Sequence, residues 1–241
     1  MKILIFALGV SASLVSTVFA QFYFAMNTAG QTYIYESLSA YANSSNGTLI
    51  GTYAGYGNHF EAGIAFDGNL FYRTNRLGET VTYNNAVDLA TNINGVLIGT
   101  ATQWNNTSLQ DSWYANNTYY AMDKTGTTLS FTSLTNFASF TNPATIGQYA
   151  NYGNNFESAI DFDGTYFFRT NKLGETVKYT TVEDLALNVN YSFLAQTSAW
   201  GSNQLQASWV QSIPEPSIIC FVTLITVALL PVMIRKQRKH N

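Results

Sequence analysis

Phe71-Tyr-Arg-Thr-Asn-Arg-Leu-Gly-Glu-Thr-Val-Thr-Tyr83 returns almost unchanged as Phe167-Phe-Arg-Thr-Asn-Lys-Leu-Gly-Glu-Thr-Val-Lys-Tyr179, 96 positions later. Half that offset also aligns: Tyr119-Tyr-Ala-Met-Asp-Lys-Thr-Gly-Thr-Thr lies 48 positions after Phe71, and Tyr23-Phe-Ala-Met-Asn-Thr-Ala-Gly-Gln-Thr lies 48 before it. The chain thus carries four units of 48 residues, the length of one supersecondary module in a propeller, solenoid or array.

Within the second unit, turn residues separate four short apolar runs, which predict strands at Phe60 to Phe66, Leu70 to Thr74, Thr80 to Tyr83 and Val96 to Thr102. Asp67-Gly68 separates the first two and recurs as Asp163-Gly164, a pair that supplies the positive φ of a tight hairpin. Gly30, Gly78, Gly126 and Gly174 mark a second turn in all four units. Four strands in 48 residues is the size of a propeller blade, and Ile64-Ala-Phe-Asp-Gly-Asn-Leu-Phe-Tyr72 resembles the opening two strands of many such blades. The first-strand segment occurs at 60–66, 108–114, 156–162 and 204–210, so the first unit lacks one of its own. The last segment, Gln204 to Val210, is therefore expected to come round and complete the blade begun by Phe22, removing the open sheet edges. The expected fold is all-β, a four-bladed β-propeller over residues 21–212 closed by its C-terminal strand. A β-solenoid or two stacked two-repeat sandwiches is the alternative. The units also alternate. Phe60-Glu61, Ile64 and Arg73 recur as Phe156-Glu157, Ile160 and Arg169, while Leu109 and Ser112-Trp113 recur as Leu205 and Ser208-Trp209, which predicts a pseudo-twofold axis down the channel.

Composition narrows the function classes. Between residues 21 and 212 six Lys or Arg face thirteen Asp or Glu, a net charge of −7 that disfavours nucleic acid. Hydrophobic residues make up 46% and charged residues only 10%, so solubility falls to Asn, Thr, Ser and Gln, as in many secreted proteins. Cys220 is the single cysteine, so no intrachain disulfide forms.

The two ends carry addresses. Lys2, the apolar run from Ile3 to Leu14 and the small-residue ending Val18-Phe19-Ala20 predict a secretory signal peptide over 1–20 and a mature start at Gln21. At the other end Ile213-Pro-Glu-Pro-Ser217 precedes a run from Ile218 to Ile234 that is long enough to cross a bilayer, followed by Arg235-Lys236-Gln237-Arg238-Lys239. The basic cluster would hold that end in the cytoplasm while the body is exported. This order of Pro-Glu-Pro, apolar span and basic tail, over residues 213–241, resembles the PEP-CTERM sorting signal of Gram-negative and related bacteria. The resemblance implies an exosortase-type enzyme as partner, with Pro214, Glu215 and Pro216 as recognition motif and processing region. The membrane would be engaged through residues 218–234, and the product would reside in the cell envelope, at the surface or outside the cell. An ordinary single-pass anchor after a Pro-rich juncture is the competing reading.

The expected ligand face is built by the loops that enter each first strand: Tyr56-Gly-Asn-His59, Trp104-Asn-Asn, Tyr152-Gly-Asn-Asn155 and Trp200-Gly-Ser-Asn203. A ring beside Asn and Gly in every repeat offers a saccharide a flat apolar platform and amide hydrogen bonds, hence an expected contact with exopolysaccharide through Tyr56, Trp104, Tyr152 and Trp200. Packing between blades is the stronger reading of the same pattern, because a large aromatic at one fixed position of each blade more often fills the joint and the glycines mark turns. Arg73 with Glu79, and Arg169 with Glu175, are expected to pair across their hairpins. Glu61 and Glu157, related by the pseudo-twofold, are the carboxylates available to a glycan-active enzyme, the alternative to a non-enzymatic surface protein. No cofactor is expected. His59 has Asn155 as its repeat mate, so neither a triad nor a histidine metal cluster is available, and Asp161 with Asp163 is a weak calcium pair.

Overall fold

The computed structural model describes residues 19–53, 61–105, 108–149, 152, 157–201 and 204–214. Residues 21–212 form one compact unit. The fold is a four-bladed β-propeller built from four antiparallel sheets of four strands.

Blade 2 runs β4 (Glu61–Phe66), β5 (Phe71–Asn75), β6 (Glu79–Tyr83) and β7 (Val96–Thr100); blade 3 runs β8 (Leu109–Ala115), β9 (Thr118–Asp123), β10 (Thr127–Phe131) and β11 (Ala144–Gln148). Blade 4 runs β12 (Glu157–Phe162), β13 (Phe167–Asn171), β14 (Leu173–Tyr179) and β15 (Ser192–Gly201). Blade 1 takes β1 (Phe19–Asn27), β2 (Gln31–Tyr35) and β3 (Thr48–Thr52) from the N-terminal side and β16 (Leu205–Pro214) from the other, in the order β16-β1-β2-β3. The ring is thus closed by a strand from the far end of the domain. β1 starts two residues ahead of the mature start expected at Gln21.

Each blade is covered on both faces by its neighbours, so β5 and β13 are buried along their whole length. The sequence-expected turns form. Asp67 Oδ1 accepts the Asn69 and Leu70 N–H groups at 3.0 and 2.8 Å, and Asp163 Oδ1 accepts those of Thr165 and Tyr166 at 2.9 and 2.7 Å. The other Asp163 oxygen, Oδ2, accepts from the Tyr23 hydroxyl at 3.2 Å. At the second turn Asn75 Oδ1 accepts from Leu77 and Glu79, a pattern repeated by Asn27, Asp123 and Asn171. Gly78 there has φ 77°, and a Cβ on it would lie 2.1 Å from the Ala101 carbonyl oxygen, so no side chain fits.

Two features differ from expectation. The strand predicted over Val96 to Thr102 ends at Thr100, and Thr102–Trp104 forms a 3-10 turn. Each blade also carries a short helix between its third and fourth strands: α1 (Leu38–Ala42), α2 (Ala86–Thr91), α3 (Leu134–Ala138) and α4 (Val182–Leu187). Ser37, Asn85, Ser133 and Thr181 cap them, each side chain accepting the backbone N–H three residues on. The helices pack on the previous blade, α2 on β3, α3 on β7, α4 on β11 and α1 on β15, which carries the ring all the way round. Glycine on the receiving strand permits the approach: a Cβ at Gly51 would sit 2.8 Å from that of Ala90.

Among the described residues no helix is long and apolar enough to cross a membrane. The expected span 218–234, residues 1–18 of the expected signal peptide, and Glu215 and Pro216 of the sorting motif lie outside the described residues. Pro214 ends β16.

Candidate functional site

Of the two readings of the repeated aromatics, packing between blades is the one that the described rings follow. Trp104, Tyr152 and Trp200 are buried, 1%, 3% and 4% exposed, so none offers a ring to a saccharide in solvent. Trp104 inserts between blades 2 and 3, where its Nε1–H donates to the Phe137 carbonyl at 2.9 Å and its ring meets Phe131, Phe137 and Phe140. Trp200 does the same between blades 4 and 1, donating to the Tyr41 carbonyl at 2.8 Å against Tyr35 and Tyr41. Tyr152 packs beside Tyr149 and against Gly126, where a Cβ would come within 2.7 Å of Tyr152 Cβ. The physical reason is the helix on each blade: it walls the joint, and a large ring with one N–H fills that space while satisfying a helix-terminal carbonyl. Tyr56 and His59 lie outside the described residues.

The buried arginines are the polar feature that sequence reasoning misassigned. Arg73 is 7% exposed and donates through Nε to the Tyr83 hydroxyl and through its other arm to Asn92 Oδ1. Tyr83 in turn donates to Asn92 at 2.7 Å, and the guanidinium lies over the Tyr53 ring at 5.1 Å. Arg169 repeats the arrangement with Tyr179, Asn188 and Tyr149. Glu79 and Glu175 accept from Asn75 and Asn171 instead, both at 2.8 Å, so the expected cross-hairpin ion pairs do not form. Asn75 caps the turn and its amide already faces Glu79, whereas the arginine turns into the joint between blades. Burial pushes the Tyr83 phenol above its usual value, and the adjacent Arg73 charge pulls it back in part. Asn92 and Asn188 reach the arginines from left-handed helix caps, φ 56° and 54°, a conformation asparagine tolerates.

Glu61 and Glu157 open β4 and β12, the first strands of blades 2 and 4. Their side chains lie outside the described residues. Two other carboxylates sit on first strands and are buried: Asp111 Oδ2 accepts the Ile160 N–H of blade 4, and Asp161 Oδ1 accepts the Phe162 N–H at 2.7 Å. Each satisfies backbone donors on an inner strand edge that has no further strand beside it. Burial holds the Asp161 carboxyl well above the ordinary aspartate range, Asp163 adds to that, and the N–H groups of Phe162 and Val210 oppose it. Among the described residues no group of three or more His, Cys, Asp or Glu is placed to hold a metal ion.

No protein-family model matches the chain, and no curated protein matches it. It is similar to several solved structures. YCF48 from Cyanidioschyzon merolae is 10% identical over 56% of this chain and 37% of its own, with TM-score 0.34. PorZ, a surface component of the type-IX secretion system of Porphyromonas gingivalis, is 10% identical over 80% of this chain and 25% of its own, with TM-score 0.37. The computationally designed Ika4 protein is 11% identical over 67% and 85%, with TM-score 0.33. The chain thus spans about a third of YCF48 and a quarter of PorZ. Likenesses this slight carry nothing about activity or partners.

Proposed function

We propose that this protein is an exported, non-enzymatic component of the cell surface or extracellular matrix, delivered by a secretory signal peptide and sorted through its C-terminal segment by an exosortase-type enzyme. The observation that supports it is the junction at Pro214. The strand that closes the propeller reaches Pro214, and the Pro-Glu-Pro motif begins at the same residue. A processing enzyme working at 214–216 would release or transfer a domain that is already complete, with the apolar run 218–234 and the basic tail left on the membrane side. The Trp104 and Trp200 indoles and the Arg73 and Arg169 guanidiniums described inside the domain are engaged by structural partners, which suits a scaffold. This reading assigns no saccharide platform to Trp104, Tyr152 and Trp200.

Intact mass of the protein recovered from the surface and medium of its native host tests the reading. A chain running from Gln21 to a terminus between Pro214 and Ser217 is the expected product. Retention of Ile218 to Asn241 would mean a resident anchor and would overturn sorting.

A further inference from the structure

Apolar surface is distributed unevenly round the ring. Among the described residues, every exposed large apolar side chain except Leu49 belongs to blade 2 or blade 4. The repeat marks this as a property of the pair. Ile93 and Leu97 of blade 2 have Val189 and Phe193 as their twins 96 positions on, all four apolar and exposed. The repeat mates of Ile93 on blades 1 and 3 are Ser45 and Thr141, and those of Leu97 are Leu49 and Thr145.

These residues belong to the outer edges of their blades. β7 ends the sheet of blade 2 and β15 ends that of blade 4, so each turns a row of backbone N–H and C=O groups outward. Leu97 in β7 is 58% exposed and Phe193 in β15 is 61% exposed. Open edges are ordinarily blunted by charge or proline. Blade 3 follows that rule, with Pro143 directly before β11. Neither 92–103 nor 185–200, the stretches that contain β7 and most of β15, holds a single Lys, Arg, Asp, Glu or Pro.

We propose that the outer edges of blades 2 and 4 are two equivalent docking edges for further copies of this chain, which link edge to edge into a string of propellers. Edge, charge and area together select a second copy as the occupant. An open strand edge is completed by another strand edge, and this ring itself supplies one. The two stretches are uncharged although residues 21–212 hold six Lys or Arg against thirteen Asp or Glu. Like copies therefore meet here without the repulsion that acts elsewhere on their surfaces, and a charged partner would find no counter-ion. A buried aromatic covers about 150–250 Å² and an aliphatic chain less, so the half-exposed side chains of one flank present roughly 300–400 Å². That is near half of the ~800 Å² each partner gives to a stable complex. One contact is thus weak even with strand pairing added, and two contacts per ring reinforce each other. Blades 2 and 4 stand opposite one another in a ring of four, so a pair of copies always leaves two edges open and the assembly propagates. This assembly goes beyond the role proposed above and holds whether or not the C-terminal segment is processed.

Cysteine cross-linking of the full chain in its native host tests the docking edges, with Cys220→Ala removing the native thiol. One variant carries Thr100→Cys and Gln196→Cys, twin positions on β7 and β15; the other carries Thr52→Cys and Gln148→Cys, their repeat mates on β3 and β11. All four positions are exposed, so the substitutions leave the core untouched. A membrane-permeant bis-maleimide reaches the chain wherever it resides, so failure of export or sorting does not change the readout. The expected result is a ladder of dimers, trimers and longer species from the first variant and none from the second. Adding Leu97→Asn and Phe193→Asn to the first variant is expected to abolish the ladder. No ladder from the first variant, dimers alone, or equal ladders from both would overturn the docking edges. A ladder that survives the two asparagines would overturn the apolar contact.

Discussion

The joints between blades come in two kinds, and they solve one packing problem by different chemistry. Between blades 2 and 3, and again between 4 and 1, an indole fills the gap and gives its N–H to a carbonyl of the neighbouring helix. Between blades 1 and 2, and again between 3 and 4, Trp209 and Trp113 lie in the apolar cluster and a buried arginine is added, held by a tyrosine and an asparagine of its own blade and covered by a tyrosine from the blade before. Alanines at 25 and 121 make room in the indole joints where Arg73 and Arg169 stand in the others. The difference teaches why the strong repeat is 96 residues and the weak one 48. Backbone and turns recur with every blade, but joint chemistry recurs with every second blade, so opposite joints match and adjacent joints do not.

The comparison breaks first at the indoles. Trp104→Ala or Trp200→Ala removes a fully packed ring and is expected to cost about 3–5 kcal/mol in denaturant unfolding; a loss under about 1 kcal/mol would mean the ring is not holding the joint. Arg73→Ala comes next, at about 2 kcal/mol, because it removes charge-assisted hydrogen bonds and the stem's packing together. Arg73→Lys is expected to recover little of it, since an ammonium cannot hold Tyr83 and Asn92 in the same fork. Tyr83→Phe should cost about 1 kcal/mol, the worth of one buried hydrogen bond. Smallest of all is Glu79→Gln, within about 0.5 kcal/mol, because the amide oxygen still accepts from Asn75. A large loss there would restore the Arg73–Glu79 ion pair that the structure replaces.

Much of this was legible in the chain. Asp67-Gly68 and Asp163-Gly164 located the inner hairpins, Gly78 and its three repeat mates located the second turns, and the missing first strand before Phe22 foretold the placement of β16. The four helices escaped because five or six residues are too few for a 3.6-residue period to show against strand alternation. Their signal was present as Ser37, Asn85, Ser133 and Thr181, capping residues spaced 48 apart. Packing of Trp104 and Trp200 between blades was legible from their fixed place in the repeat, but without those helices the partners of their N–H groups were not. The sequence offers Arg73 a carboxylate six residues on at Glu79, whereas its described partners Tyr83 and Asn92 sit 10 and 19 residues away, a separation that only the folded joint closes.

The central claim is a ring that β16 must close. Two chains starting at Gln21, one ending at Pro214 and one at Gln204, can be compared by thermal unfolding followed by circular dichroism. The longer chain is expected to melt in one cooperative transition and the shorter to show none, because loss of β16 leaves blade 1 with three strands and opens the joints on either side of it. Equal, cooperative melting of both chains would contradict the closed ring and favour an open solenoid.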